Sequence, residues 1–283
     1  MTSTAFDMAI VPIEGFEHLS ELPCKNKKRK HSMKRGLVKS TKGWGQTSLA
    51  IVCGLGVATG VQAIELGKGF DLELTLTALS DYRDTGISQT KGDPAIQAES
   101  IFQHESGAYV GIFSSSFDAG TNARREDLYY AGITIPFSED VYFDTYIGRY
   151  EYQKDAYGDL NEYFAEIGAY GFQFGFTYDF DMRGHVPNNV NWSLGYNFVL
   201  PYETNVLVRY GYTDLKIDAF ESGSGDTSRT FNDWEVKLSK EVLGVNLFAS
   251  YIDTNLSKSE CYSASGFDDI CSATVVFGVS KTF

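Results

Sequence analysis

The sequence lacks the long apolar runs that form transmembrane helices, although 43% of its 283 residues are hydrophobic. A helix that crosses a bilayer needs about 20 consecutive, mostly apolar residues, and the chain has no such stretch. Proline (6) and cysteine (4) are also scarce, whereas Tyr (18) and Phe (20) are abundant. This composition excludes a helical membrane protein and favours strands, because aromatic side chains are enriched in strands and at membrane interfaces.

Basic residues are scarce in most of the chain. Residues 1–63 contain 9 of the 24 Lys and Arg residues but 4 of the 37 Asp and Glu residues. Residues 64–283 therefore carry 15 basic and 33 acidic side chains, a net charge of 15 − 33 = −18. Because such a surface repels the phosphate backbone, nucleic acid is excluded as a partner.

Residues 33–63 have the three-part order of a secretory signal peptide. Basic residues come first, an apolar stretch runs from Leu49 to Ala58, and Val61-Gln62-Ala63 supplies the small residues of a cleavage site. The apolar stretch is too short for a stable span. The sequence therefore predicts export and a mature chain that begins at Ile64. Residues 1–32 form an atypical basic leader, which either extends the signal or reflects a start codon assigned too far upstream.

The four cysteines divide between these two parts of the chain. Cys24 and Cys53 lie in the segment predicted to be removed, which leaves Cys261 and Cys271 in the mature protein. Because exported proteins enter an oxidising compartment, this pair predicts a disulfide that closes one loop. A metal site would need further soft ligands nearby. The sequence supplies none, so we expect neither a metal nor a cofactor.

After Ala63 the hydrophobic pattern has a period of two, which is typical of strands with two different faces. In one segment, residues 173–180, aromatic side chains occupy one face and mostly small or polar ones the other. The pattern predicts twelve strands of about ten residues, the length that crosses hydrocarbon at a tilt. They are Phe70–Leu79, Ala95–His104, Ala108–Phe117, Asp127–Pro136, Val141–Tyr150, Glu162–Ala169, Gln173–Phe180, Val190–Leu200, Asn205–Asp214, Phe231–Lys240, Val245–Thr254 and Ala273–Phe283.

Alternation alone fits a soluble β-sandwich as well as a membrane barrel. The connections distinguish the two, because short ones such as Tyr170–Phe172 alternate with long ones such as Ser80–Pro94. An even-stranded barrel with both termini in the periplasm has tight inner turns and longer outer loops. The final strand ends on Phe283, which suits recognition by the outer-membrane barrel-assembly machinery. The sequence therefore predicts one all-β domain, residues 64–283: an antiparallel up-and-down transmembrane barrel in a Gram-negative outer membrane.

Five segments of the mature region carry a recognisable pattern: residues 80–89 (Ser-Asp-Tyr-Arg-Asp-Thr-Gly-Ile-Ser-Gln), Gly92-Asp93-Pro94-Ala95, His104-Glu105-Ser106-Gly107, Asp233-Trp234 and the end from Val275 to Phe283. In these segments the chain resembles the TorF family of porin-like outer-membrane proteins. The resemblance spans nearly all of the mature region and implies a barrel of porin type, without implying a particular solute. The leader before Met33 and the pair Asp84-Thr85 depart from the family pattern.

The polar faces of the predicted strands carry charged residues, which we expect to line the lumen. Arg or Lys on the lipid side would cost about 2–4 kcal/mol at the midplane. Either these residues line a narrow channel that prefers cations, or they pair with each other in a plugged interior; twelve strands lie between filled barrels of about eight and open pores of about 16–18. The residues are Glu73, Glu99, Asp144, Glu166, Arg209, Asp233, Glu235 and Lys237.

The first long loop begins with three further charged residues, Asp81, Arg83 and Asp84. In one interpretation these residues fold inward and form a constriction that screens solutes by charge. In the other, Gly86 permits a turn and the polar residues seal the end of the strand. The sequence leaves both interpretations open.

Catalysis is not expected, because hydrolysis would need a His beside a nucleophile or a water-binding carboxylate. The mature chain has two histidines, His104 in a short turn and His185 in a long loop. The preferred function is passive diffusion of small polar solutes or ions through the barrel. The alternative is a structural or adhesive barrel that acts through its outer loops. Expected partners are outer-membrane lipid, lipopolysaccharide and, through Phe283, the assembly machinery.

Overall fold

The computed structural model describes residues 63–154, 158–182 and 187–283. The basic leader and nearly all of the predicted signal peptide lie outside the described residues, as does His185. Within the described part of the chain, no helix is both long and apolar enough to cross a membrane.

Twelve long strands make up most of the structure, and six short elements lie between or before them. The long strands are β2 (Phe70–Leu79), β5 (Ala95–His104), β6 (Ala108–Ser116), β7 (Arg125–Pro136), β8 (Val141–Tyr152), β9 (Leu160–Ala169), β10 (Phe172–Phe180), β11 (Asn189–Leu200), β12 (Thr204–Asp214), β15 (Thr230–Val242), β16 (Val245–Thr254) and β17 (Thr274–Thr282). The short elements are β1 (Ile64–Gly67), β3 (Arg83–Asp84), β4 (Ile87–Ser88), β13 (Phe220–Glu221), β14 (Thr227–Ser228) and helix α1 (Lys258–Ser265).

The long strands close into a barrel. Each pairs antiparallel with the next long strand along the chain, and β17 returns to pair with β2. At this junction Gly278 lies opposite Leu79, and the N–H of Phe283 donates to the carbonyl of Leu74 at 2.9 Å. The short strand β1 pairs with the first residues of β2. Pairing of both edges removes the exposed edge that an open sheet would present.

Side-chain alternation gives the barrel an apolar outside and a polar inside. In β10, Gly175, Thr177 and Asp179 are buried, whereas Phe172 and Phe174 are about half exposed, at 54% and 47%. The same division recurs in the other long strands, where exposed Leu, Ile, Val and aromatic side chains form an outer belt. An apolar exterior around a polar interior is the arrangement of a transmembrane barrel, because the outer surface faces hydrocarbon rather than water.

The connections at the two ends of the barrel differ in length. Both central residues of the turn Tyr170-Gly171 have positive φ (53° and 87°), as do those of Leu243-Gly244 (55° and 74°). Positive φ at both positions defines the type I′ turn, whose twist matches that of a two-residue hairpin. These tight turns lie at the end of the barrel where β2 starts and β17 finishes. The longer loops lie at the opposite end, called the outer end below.

The predicted architecture of twelve antiparallel strands in a closed barrel is confirmed, and each predicted strand boundary lies within two residues of the observed one. The short hairpins β3–β4 and β13–β14 and helix α1 were not predicted. Helix α1 starts with a capping box, in which Ser257 and Glu260 each bond the backbone of the other, and ends at Gly266 with φ 79°. The Ser-x-x-Glu spacing was the available signal.

Candidate functional site: the barrel lumen

The inner wall of the barrel is strongly acidic. Arg209 and Lys237 are its two buried or half-buried basic side chains among the described residues of the long strands. Ionised carboxylates on such a wall attract cations and repel anions. Ten buried or half-buried acidic side chains face inward: Asp71, Glu73, Glu99, Glu126, Asp144, Glu162, Glu166, Asp179, Asp233 and Glu235.

All eight residues proposed from the sequence as pore-lining lie on this inner face. The structure brings three of them together on β12 and β15, where Arg209 forms an ion pair with Asp233 and its Nε lies 3.8 Å from Glu235 Oε2. Lys237 lies instead over the ring of Phe248, with Nζ 4.3 Å from the centroid. Glu99, Asp144 and Glu166 lie on the opposite side of the barrel, and Glu73 is on β2.

Tyrosine hydroxyls hold the carboxylates of β5, β8 and β9. Each of these hydrogen bonds fixes the orientation of a carboxylate and gives one of its oxygens a donor, which a buried acidic group requires. Thr134 Oγ1 also donates to Asp144, at 2.5 Å. The tyrosine bonds are Tyr130 to Glu99 at 2.6 Å, Tyr109 to Asp144 at 3.1 Å, Tyr142 to Glu166 at 2.5 Å and Tyr146 to Glu162 at 2.6 Å.

Aromatic rings fill much of the lumen beside β6–β9, which we call the aromatic wall. The ring of Tyr146 stacks on Phe164 with centroids 4.9 Å apart and lies 5.2 Å from Tyr130. Glycines on neighbouring strands accommodate these rings, because a Cβ at Gly111 would overlap the ring of Tyr130. The inner faces of β10–β12, called the polar wall, carry mainly small or polar side chains such as Gly175, Thr177, Asn191, Ser193 and Gly211.

The first outer loop, residues 80–94, folds into the outer end of the lumen. At the tip of its hairpin, a Cβ on Gly86 would lie 2.9 Å from the Cβ of Asp233 and 2.5 Å from Thr254 Cγ2, on β15 and β16. Nearer the start of the loop, Tyr82 donates to Glu126 of β7 at 2.6 Å. The loop therefore extends from β7 to β15 across the outer opening and narrows it.

Two of the three charged residues predicted at the constriction, Asp81 and Arg83, stabilise this loop. Arg83 Nε donates to Asp81 Oδ2 at 2.6 Å, and Nη1 donates to the carbonyls of Gly86 and Ser272 at 2.9 and 2.8 Å. Asp81 also accepts a hydrogen bond from Ser88 Oγ at 2.5 Å. The side chains of Asp81 and Arg83 are nearly inaccessible, so their contacts are structural.

Asp84 has a different environment from Asp81 and Arg83. It is buried at the inward end of the loop. Its carboxylate is close enough to Glu162 on β9 and Arg209 on β12 to interact electrostatically with both. Asp84 therefore adds a further negative charge to the acidic wall at the outer end of the lumen.

The last outer loop, residues 255–273, holds the first loop in place. Its two cysteines, Cys261 and Cys271, form the predicted disulfide, with Cα atoms 5.9 Å apart. The carbonyl of Ile270 accepts a hydrogen bond from the N–H of Ser88 at 3.0 Å. Ile87 of the first loop packs in one buried apolar cluster with both cysteines and Ile270. The disulfide-closed loop thus anchors the first loop across the lumen.

Four inward acidic residues were missed from the sequence: Asp71, Glu126, Glu162 and Asp179. Glu162 and Asp179 lie directly opposite each other on β9 and β10, and both are fully buried. The alternation contained the signal for Asp179, which shares the inner face with Thr177. Glu126 was assigned to a loop because β7 starts two residues before the predicted strand.

Solved structures with a similar fold share little sequence with this chain. One chain, from work on the in-meso crystallisation of membrane proteins, has a TM-score of 0.50 and 11% identity, covering 75% of this chain and 83% of that chain. NanC porin has a TM-score of 0.48 at 8% identity (75% and 98% covered), and KdgM porin 0.45 at 9% (75% and 99%). At such identities the likeness concerns the fold alone. No curated protein matches the sequence significantly.

A family-level match covers the barrel itself. Residues 65–283 match the family described as "Bacterial protein of unknown function (Gcw_chp)". The matched region begins within β1 and ends at Phe283, so it includes all twelve barrel strands and every lumen residue described above. The chain belongs to the Gcw_chp family of bacterial proteins.

Proposed function

We propose that the protein is a porin-like channel of the Gram-negative outer membrane through which small cations and small neutral polar solutes diffuse passively. The observation that carries this proposal is the charge of the inner wall, where ten acidic side chains face two basic ones. We further propose that the chain is a member of the TorF group, that residues 33–63 direct its export, and that Phe283 contacts the assembly machinery.

The charge of the wall favours a hydrated lumen over a dry plug. Transfer of an uncompensated carboxylate from water into a dry interior costs several kcal/mol even after relaxation. Arg209 and Lys237 cannot neutralise ten acidic groups, and the tyrosine donors orient carboxylates without neutralising them. Water and mobile cations would supply this compensation, although nine of the ten acidic side chains are at most 8% exposed, so the path that reaches them is narrow. The same field raises the local concentration of cations and lowers that of anions.

The width of the lumen limits the solutes to small ones. The aromatic wall fills one side of the interior, and the first loop crosses its outer opening. We place the path for these solutes along the polar wall, where the side chains are mainly small and polar, although Thr177, Asn191 and Ser193 are at most 3% exposed. The alternative function, a structural or adhesive barrel, has less support, because residues 80–94 turn into the lumen rather than outward.

The direct test is conductance of the purified barrel in a planar bilayer, with a KCl gradient across it. We expect stepwise currents and a reversal potential that indicates preference for K⁺ over Cl⁻. Glu73→Lys should move the reversal potential toward anion preference, because it replaces a negative charge on the inner wall with a positive one. The matched control is Glu139→Lys, the same change at an exposed position in a turn outside the lumen.

Two outcomes would contradict the proposal. A correctly folded barrel that gives no stepwise currents would support the structural or adhesive alternative. A barrel that conducts, but whose reversal potential is the same for Glu73→Lys as for the unmodified protein, would show that ions do not pass along the acidic wall.

A further inference from the structure

Three oxygen-bearing side chains form a row at the outer end of the inner wall. Asp179 on β10 lies directly opposite Glu162 on β9 and directly opposite Asn189 on β11. Residues that face each other across antiparallel strands have Cβ atoms about 4.5–5.5 Å apart. The oxygens of all three side chains are therefore within reach of a single bound ion.

The oxygens in this row lack donors. Glu162 and Asp179 are fully buried, and Asn189 is 4% exposed. In the described part of the chain, neither carboxylate oxygen of Asp179, Oε2 of Glu162 nor Oδ1 of Asn189 has a partner at normal hydrogen-bond geometry, although the side chain of Asn189 lies close enough to Asp179 to interact with its carboxylate. Tyr146 donates to the other oxygen of Glu162 at 2.6 Å. Buried acceptors without a donor are rare in folded proteins, because each forfeits its hydration without replacement.

The acidic side chains around this row increase its need for a positive charge. The titratable side chains that act electrostatically on Glu162 are Asp179, Asp84 and Glu126, all acidic. Arg209 is engaged by Asp233 and Glu235 on the far side of the polar wall. The amide of Asn189 cannot neutralise a carboxylate, whereas a bound cation would interact favourably with all four oxygens at once.

We propose that Glu162, Asp179 and Asn189 bind a divalent cation of the Ca²⁺ type. Ca²⁺ takes about 6–8 oxygen ligands from carboxylates, Asn carbonyls and water, in flexible geometry. The two carboxylates of the row match its charge. Mg²⁺ needs near-octahedral geometry and loses water reluctantly, so it binds more weakly here. Within the described residues, no group of three or more His, Cys, Asp or Glu side chains is arranged for a metal; the proposed site combines two acids with one amide oxygen.

The bound cation joins β9, β10 and β11 beneath the first loop. It also lowers the negative potential at the outer end of the lumen, which reduces the flow of monovalent cations. The inference rests on the proposed function only for access, since the ion enters through the hydrated lumen. Binding is measured at equilibrium, so a barrel that binds Ca²⁺ without conducting would overturn the proposed function and leave the site standing.

The test compares thermal unfolding and calorimetric titration of the purified barrel in detergent, with Ca²⁺, with Mg²⁺ and with EDTA. The unmodified protein should bind one Ca²⁺ at this site and unfold at a higher temperature in Ca²⁺ than in EDTA, with a smaller rise in Mg²⁺. Asp179→Asn should lower the Ca²⁺ affinity by about tenfold or more. In EDTA the same variant should unfold at an equal or higher temperature than the unmodified protein, because one of two repelling carboxylates is gone.

This reversal of order between Ca²⁺ and EDTA is the result that a purely structural role would not produce. Asp93→Asn, the same change at an exposed position in the first loop, should alter neither measurement. Asn189→Asp gives the opposite test, since a third carboxylate should tighten Ca²⁺ binding by about tenfold. The proposal is overturned if the unmodified barrel gains no stability from Ca²⁺, or if Asn189→Asp and Asp179→Asn both bind Ca²⁺ as tightly as the unmodified protein.

Discussion

The aromatic wall and the polar wall share one backbone pattern but accommodate buried charge in different ways. On the aromatic wall, tyrosine hydroxyls from neighbouring strands each hold a carboxylate, as Tyr142 holds Glu166. On the polar wall and the adjoining β15, one guanidinium, Arg209, compensates both Asp233 and Glu235. Buried carboxylates are therefore held by several neutral hydrogen-bond donors on one side and by a single cation on the other.

This difference determines how each wall responds to substitution. A wall with distributed donors loses one hydrogen bond when a tyrosine is changed, and packed rings preserve its shape. A wall that depends on one cation loses its charge compensation when that one residue is substituted. In the proposed function the volume of the rings directs solutes to the polar wall, so the proposed path follows the wall that depends on one cation.

The largest effect is expected at Arg209. Arg209→Leu leaves Asp233 and Glu235 buried without their cation, which should lower the free energy of unfolding by about 3–5 kcal/mol. Urea unfolding, followed by Trp fluorescence, measures this change. Arg209→Lys keeps the charge, although not the fork of donors, and should lose less. Equal stability of Arg209→Leu and the unmodified protein would mean that charge compensation on this wall is not concentrated in Arg209.

A smaller effect is expected from the disulfide above the polar wall. Replacement of Cys261 and Cys271 by Ser should lower the free energy of unfolding by about 2–3 kcal/mol, the chain-entropy value for a loop of about ten residues. Because Ile270 and Ser272 hold the first loop by hydrogen bonds, conductance should also rise or fluctuate more. Unchanged conductance in the folded variant would mean that the first loop stays across the lumen without this anchor.

The smallest effect is expected on the aromatic wall. Tyr109→Phe removes one donor from Asp144, which keeps the hydroxyl of Thr134 at 2.5 Å. The loss should be about 1.5 kcal/mol, the low end for a hydrogen bond to a charged group. Tyr129→Phe, on the lipid-facing side of β7, is the matched control and should change stability by less than about 0.5 kcal/mol. A loss at Tyr109 as large as that at Arg209 would remove the contrast between the walls.

The sequence by itself determined the strands, their inner and outer faces and the closed barrel. The alternation of inner and outer side chains can be read directly from neighbouring residues in the sequence. A slip of one residue would place an entire face of a strand on the wrong side of the barrel. The eight charged residues placed inside follow from this parity, and the disulfide follows from the two cysteines of the mature region. Glu162 and Asp179 follow the same alternation, so the sequence contained the signal that places them on the inner face.

Tertiary structure alone decided which loop crosses the lumen and which partners the inward side chains find. The first loop crosses the lumen through contacts between distant residues, since Tyr82 and Glu126 are 44 positions apart and Arg83 and Ser272 are 189 apart. No local pattern encodes such contacts, because the choice between an inward and an outward loop depends on which partners the closed barrel presents. The row formed by Glu162, Asp179 and Asn189 depends on the register between consecutive strands, which brings residues from three strands to one height.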